Sequence, residues 1–94
     1  MEMEEAKALV KKELERVGKF FDVKEDVRGS VEHCRFTNDD IDVSIQEFFS
    51  ERQEYVNVYL DFELNGLDYE ITSFSTTPDA IVKLFAEYKR IKGE

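Results

Sequence analysis

The most regular pattern in the chain lies between residues 55 and 74, where apolar and polar side chains alternate. The alternation continues across Asn65-Gly66 without changing face. This dipeptide is the strongest short signal for a two-residue β-hairpin turn, so we predict two antiparallel strands that meet there. The opposing pairs are then Leu64 with Leu67, Phe62 with Tyr69, and Leu60 with Ile71.

Three weaker stretches with the same period of two precede this hairpin. They cover residues 21–27, 31–36 and 41–46, and the polar segments Gly29-Ser30 and 37–40 can turn the chain between them. The first stretch is short and carries several charges. The sequence therefore leaves open whether it forms a full strand of the sheet or an irregular edge.

A helical period flanks this β region on both sides. Over Met3–Val17 apolar residues recur at steps of three and four, and Gly18 follows at the place of a C-cap residue. A second apolar stripe runs over Ile81–Ile91. Thr77 is the expected N-cap of this last helix and Pro78 its first residue.

The chain is therefore predicted to be an α+β protein, with an N-terminal helix, an antiparallel meander of four to five strands and a C-terminal helix. Only one face of the sheet is strongly apolar, so both helices should lie on that face. The 94 residues contain no repeat, linker or low-complexity segment, which predicts a single domain over residues 1–94.

The composition agrees with a folded domain. Hydrophobic residues make up 41% of the chain and Pro occurs once, which is too much apolar side chain for a disordered segment. A chain of this length buries only about 60 to 65% of the surface that its unfolded form exposes. A homodimer, which would cover more surface, is therefore one expectation.

The charge narrows the partners. The net charge is −9, and residues 20–82 hold fifteen acids and four bases, so the middle of the chain carries −11. Such a field repels phosphate and argues against direct binding to nucleic acid or to an anionic membrane. It would attract basic proteins or metal cations.

Cys34 and His33 are the only residues of their types. One cysteine excludes an internal disulfide, and the acidic start of the chain is unlike a signal peptide, so we expect a cytoplasmic protein. Cys34 falls on the apolar face, where a thiol is usually inert. His33 could act as a base only beside a carboxylate such as Asp61, and we expect binding rather than catalysis, with no cofactor.

The polar face of the sheet carries the main candidate site. The hairpin register sets Glu63 opposite Asp68 and Asp61 opposite Glu70, and like charges directly opposite one another destabilise a sheet. If the earlier turns keep the apolar residues aligned, Asp42 should lie beside Glu63. Arg35 should then lie beside Asp42, with His33 and Ser44 near Asp61.

Aromatic residues continue this face. Tyr59 and Tyr55 share it with Phe74, and Phe48 joins them if its strand has no bulge. Aromatic and acidic side chains together are a common composition of protein interfaces. The alternative is that Phe48 and Phe74 pack under a loop or a helix end. The candidate partner-binding residues are Asp42, Asp61, Glu63, Asp68, Glu70, Tyr59 and Phe74.

Three readings of this face stay open: a solvated surface that aids solubility, a docking site for a basic protein, and a site for Ca²⁺ or Mg²⁺. Our first hypothesis is an interaction module, such as an adaptor, chaperone or inhibitor, of which mimicry of nucleic acid is a special case. The alternative is a small enzyme or ligand-binding protein with a pocket between the helices and the sheet. Tyr69, Tyr88 and Cys34 would lie near that pocket.

Overall fold

The computed structural model describes residues 2–16, 22–28, 31–37, 40–49, 54–75 and 77–93. Two helices enclose five strands along the chain. The elements are α1 (Met3–Arg16), β1 (Asp22–Arg28), β2 (Val31–Thr37), β3 (Ile41–Phe49), β4 (Glu54–Leu64), β5 (Leu67–Ser75) and α2 (Pro78–Lys92). This order confirms the predicted α+β architecture.

The five strands form one antiparallel sheet in the order β1-β2-β3-β4-β5. Each strand therefore pairs with the strand before it, as a meander requires. Strand β1 pairs with β2 along its whole length, from Asp22 opposite Thr37 to Arg28 opposite Val31. The segment that the sequence left open is a complete edge strand.

The turn at Asn65-Gly66 fixes the pairing of β4 with β5. Both residues have positive φ angles, 55° for Asn65 and 79° for Gly66, which is the conformation of a type I′ turn. Gly adopts such angles without strain, and Asn tolerates them better than most residues. The three predicted apolar pairs, from Leu64 opposite Leu67 to Leu60 opposite Ile71, are confirmed.

The core lies between the helices and one face of the sheet, which we call the inner face. Helix α2 packs on β5 and on α1, and α1 also contacts β3. The sequence pattern predicts that six apolar residues are buried together: Leu60, Phe62, Ile71, Ile45, Leu84 and Phe85. Ile71 is only partly buried, and the other five are buried. The buried apolar residues include Val10, Leu14, Cys34, Phe36, Val43, Ile45, Val58, Leu60, Phe62, Ile81, Leu84, Phe85 and Tyr88.

A buried carboxylate joins the two helices. Glu13 is 5% exposed. Its Oε1 lies 3.1 Å from Nη1 of Arg16, and its Oε2 lies 3.9 Å from Nζ of Lys89 on α2. Two cations offset the cost of removing this charge from water, since an unpaired buried carboxylate would be strongly destabilising.

Helix α1 is also tied to the edge of the sheet. Nζ of Lys7 lies 2.7 Å from Oε1 of Glu4 and 3.2 Å from Oε1 of Glu25 on β1. These two carboxylates, the hydrogen bond to Glu4 first, hold the pKa of Lys7 above its usual range. Lys7 is therefore charged across the physiological pH range.

The ends of α2 differ in part from prediction. Pro78 begins the helix and Thr77 has extended N-cap dihedrals, as predicted, but the Thr77 side chain makes no capping hydrogen bond. The prediction that the Thr77 hydroxyl group stabilises the helix by capping its first turn is therefore wrong. Gly93, with φ 80°, ends the helix in the left-handed conformation.

Some predictions fall outside the described residues: the C-cap role of Gly18, the last turn of the first helix at Val17, and the turn at Gly29-Ser30. Within the described part of the chain, neither helix is long and apolar enough to cross a membrane.

Replacing Phe85 with Ala should lower the free energy of unfolding by about 3 to 5 kcal/mol, because Phe85 is fully buried in the core. Val82, on the same helix, is 45% exposed, so Val82→Ala is the matched control. This control should change the free energy of unfolding by less than about 1 kcal/mol. Urea unfolding of both variants measures the difference. Equal losses would place α2 off the inner face.

Candidate functional site

The outer face of the sheet, opposite the helices, carries a group of carboxylates that we call the acidic patch. Its members are Asp42, Asp61, Glu63, Asp68 and Glu70. Asp42, Asp61 and Glu70 form one row across β3, β4 and β5, and Glu63 faces Asp68 in the next row. The predicted like-charged pairs of the hairpin are therefore present.

The predicted position of Asp42 is wrong by one row. Asp42 lies opposite Asp61, not beside Glu63. Ser44 correspondingly faces Tyr59, not Asp61. The predicted face is correct because a shift of two residues preserves the side on which a strand residue points. The shift brings Asp42 closer to the most crowded carboxylate of the patch.

Asp61 stands at the centre of the row. Partial burial, the charges of Glu70 and Asp42, and a hydrogen bond with Glu70 raise the pKa of Asp61 above its ordinary value. Its charge is therefore harder to maintain in the folded chain than in water. All four hairpin acids of the patch, Asp61 included, are exposed, and Asp42 is half-buried.

One described cation partly offsets this charge. Nε of Arg35 donates to Asp42, 2.9 Å from Oδ1 and 3.1 Å from Oδ2, and Nη2 of Arg35 also contacts Oδ2. This forked geometry is the strong form of an Arg-carboxylate pair. Arg35 lies opposite Ser44 and reaches Asp42 diagonally. One guanidinium leaves the five-carboxylate patch with an excess of negative charge.

The hairpin end of the patch is concave. An open depression beside α1 has a volume of about 340 Å³. The open depression at the hairpin is larger, with a volume of about 530 Å³. It is lined by Asp61, Asp68 and Glu70 together with Phe62 and Tyr69. The side chains of Phe62 and Tyr69 belong to the inner face, so a cationic side chain that entered from the outer face would meet the three carboxylates.

The aromatic part of the candidate site is described only in part. Tyr59 is half-buried on the outer face, between Ser44 and Thr72 and next along β4 from Asp61. The backbone of Phe74 pairs with Asn57. The side chain of Phe74 lies outside the described residues, as do those of Tyr55 and Phe48.

Asn57 is the residue that sequence reasoning missed. It follows the polar phase of β4 and belongs to the outer face, yet it is only 4% exposed. Nδ2 of Asn57 lies 3.4 Å from the hydroxyl oxygen of Tyr59, a weak hydrogen bond, while its buried Oδ1 accepts none from the described residues. Unpaired buried acceptors are rare and costly. The only sequence signal was an amide placed between the two tyrosines of β4.

His33 and Cys34 do not join the patch. His33 faces Gln46, in the row of Asn57, two rows from Asp61, so the general-base pair of His33 with Asp61 is not formed. Burial, and then the charge of Glu25, raise the pKa of the Cys34 thiol to about 11. A thiol of this pKa stays protonated at neutral pH and is a poor nucleophile.

Of the three residues expected near an internal pocket, Tyr69 and Tyr88 both contact Phe62, and Cys34 lies apart from them. Tyr69 stacks on Phe62 with ring centroids 5.4 Å apart, and Tyr88 meets Phe62 edge-on at 4.9 Å. Cys34 instead lies opposite Ile45, and Ile45 opposite Val58, two residues along β4 from Leu60. Tyr88 and Cys34 are buried as core residues.

In the described ranges, no group of three or more His, Cys, Asp or Glu side chains is arranged to hold a metal ion. Comparison with protein-family models, curated proteins and solved structures gives no match for this chain. The candidate function therefore rests on the geometry of the outer face alone.

Replacing Asp61 with Asn should stabilise the fold at pH 7 by a few tenths of a kcal/mol, about the size of one cross-strand pair. Because the pKa of Asp61 is raised in the folded state, its ionised form destabilises the fold above that pKa. The folded state takes up the proton more readily as the pH falls. The advantage of Asp61→Asn should therefore shrink in acid.

Thermal unfolding across a pH series measures this dependence. The matched control is Asp22→Asn, since Asp22 is exposed on the outer face and lies opposite Thr37 instead of an acid. A constant difference between wild type and Asp61→Asn from neutral to acid pH would contradict repulsion as the cause.

Replacing Asn57 with Leu should raise the free energy of unfolding by about 1 kcal/mol, because it removes an acceptor that is buried without a donor. Tyr59→Phe is the informative control, since it removes the weak partner of Nδ2 and should lower stability. Urea unfolding compares both. A large loss for Asn57→Leu would show that the amide is satisfied in solution.

Proposed function

We propose that this chain is a protein-interaction module that binds a basic protein through the acidic patch and the adjoining Tyr59. The observation that carries the proposal is the row of Asp42, Asp61 and Glu70, in register on a sheet face that neither described helix covers. Such a row opposes folding unless something else favours it. Local conflicts of this kind are enriched at functional sites.

A basic partner would resolve the conflict directly. Lys or Arg side chains placed between the rows would convert like-charge repulsion into attraction, and the raised pKa of Asp61 would fall. The negative field of residues 20–82 would also draw a basic surface toward the patch before contact. Binding should therefore weaken as salt is added.

The neighbouring side chains give such a contact an apolar centre. Tyr59 adjoins Asp61 along β4, and tyrosine is enriched among residues that dominate binding energy. The open depression at the hairpin adds Asp68 and Glu70 to the contact. Arg and Lys side chains bind well where carboxylates and aromatic rings meet.

The size of the patch favours a compact target. Five carboxylates lie within two neighbouring rows on three strands, a width on the order of 10 Å. Mimicry of nucleic acid would need acids spread along an extended line. An adaptor, chaperone or inhibitor that covers a local basic surface fits this geometry better. We expect it to act in a reducing compartment such as the cytoplasm.

The pocket alternative has less support. The described core residues between the helices and the sheet are buried against one another. Tyr88 contacts Phe62, whereas Cys34 lies opposite Ile45 in another part of that core. The outer face, in contrast, carries the acidic patch, which a basic partner would contact.

The test is the double replacement Glu63→Lys with Glu70→Lys. Each new cation faces a remaining carboxylate, Asp68 or Asp61, so the fold should become slightly more stable. The tagged chain is used to capture proteins from its source cells, and an arginine-rich peptide is titrated at low and high salt. Capture of basic proteins and binding of the peptide should both be lost.

The matched control is Glu5→Lys with Glu15→Lys, which changes the net charge equally at two exposed positions of α1. This control should retain the basic partners and most of the peptide affinity. If the control loses them as well, net charge alone explains binding. If the patch variant keeps them, the acidic patch has no binding role.

A further inference from the structure

Strand β1 is an open edge of the sheet. Along the order β1-β2-β3-β4-β5 it has a neighbour on one side only, so its second row of backbone groups has no strand partner among the described residues. Val23, on the inner face of this edge, is 49% exposed. Open edges are sites where another strand can add.

We propose that β1 pairs antiparallel with β1 of a second copy of this chain, centred on Glu25, to give a homodimer with a continuous ten-stranded sheet. This inference does not depend on the proposed function of the acidic patch. It commits to one occupant because the edge is complementary to itself.

The complementarity follows from the sequence of the strand, Asp-Val-Lys-Glu-Asp-Val-Arg. In a pairing centred on Glu25, Lys24 of one copy lies opposite Asp26 of the other, and Asp22 lies opposite Arg28. In the same register position 23 lies opposite position 27, and both are Val in the sequence. Each opposite-charge pair occurs twice because of the two-fold symmetry.

Symmetry also restricts the register. Opposing residues of an antiparallel pair point to the same face. A two-fold axis perpendicular to the sheet must therefore set one residue directly opposite its own copy, and cannot set two consecutive residues opposite each other. Glu25 is the middle residue of the seven in β1, and this centre alone pairs the whole strand. The helices of both copies then lie on one side of the joined sheet.

The two central carboxylates are already paired within each copy. Glu25 accepts a hydrogen bond from Nζ of Lys7 at 3.2 Å. Two lysines therefore accompany the two Glu25 side chains at the axis. On the outer face, Lys24 lies opposite Arg35 in its own sheet, so Asp26 of the second copy would give this pair of cations a nearby carboxylate.

The other edge of the sheet lacks this complementarity. Strand β5 carries Asp68 and Glu70 on the outer face, with Asp61 and Glu63 directly behind them on β4. Pairing two copies through β5 would bring together four edge carboxylates, two from each copy, and β5 carries no cation to offset them. The charges therefore direct self-association to β1.

The first test measures association by sedimentation equilibrium over a concentration series. The wild-type chain should dimerise, and either Lys24→Glu or Asp26→Lys should weaken the dimer roughly tenfold or more, because two attractive pairs become repulsive. Lys83→Glu, at an exposed position of α2, is the control with the same charge change and should have no such effect.

Mixing the two single variants should restore association. A carboxylate at position 24 then faces a lysine at position 26, while Asp26 of one chain faces Lys24 of the other. Circular dichroism melts verify that both variants are folded before they are mixed. A monomeric wild type, or a dimer that neither single variant weakens, would overturn the proposal. Failure of the mixture to associate would do so as well.

A cross-linking test fixes the centre of the pairing. Cα atoms directly opposite one another in an antiparallel sheet lie about 4.5 to 5.5 Å apart, within the range of a disulfide. Cys34 lies opposite position 25 on β2, so the test uses a Cys34→Ala background, in which an intrachain disulfide cannot form. In this background Glu25→Cys should therefore form a covalent dimer on mild oxidation. Asp22→Cys should not, since the two copies of position 22 would be about 20 Å apart. Cross-linking at position 22 but not at 25 would exclude this register.

Discussion

The pairing fixed by the Asn65-Gly66 turn is the constraint on which the rest of the molecule depends. A two-residue turn with two positive φ angles allows one register between β4 and β5. In that register Leu60 and Phe62 face the helices, and Asp61 and Glu63 face away from them. A slip by one residue would bury the acids and expose the core. The same turn therefore creates both the hydrophobic core and the acidic patch.

The sequence predicted the architecture because its patterns are local. Alternation fixes the face on which each strand residue lies, and the helical stripes fix the buried side of each helix. Alternation does not fix register beyond this, since a shift by two residues leaves every side chain on its face. The Asn-Gly turn supplied the missing information for β5. The longer connection between β3 and β4 contains no such signal. The predicted position of Asp42, beside Glu63, is therefore wrong by one row, and Asp42 lies opposite Asp61.

Other features of the site depend on packing that no local pattern records. Asn57 lies on the polar phase of β4, where exposure is expected, and its burial is set by what surrounds it in three dimensions. Glu13 lies among charged residues of α1 and is buried because Lys89 approaches from α2. Thr77 occupies its predicted cap position, but the direction of its hydroxyl group depends on a side-chain rotamer.

The outer face and the β1 edge of the sheet differ in how their charges are arranged, and each arrangement suits a different kind of partner. The outer face concentrates carboxylates at the β4-β5 end, which repels another copy of the same surface. At the opposite edge every second residue of β1 alternates in sign, in the order Asp22, Lys24, Asp26 and Arg28. A surface of one sign selects partners of the other sign, whereas a strand of alternating sign can match its own reverse. A two-fold axis at β1 would leave both acidic patches free, on the same side of the joined sheet, so one dimer could present two binding sites to a basic partner.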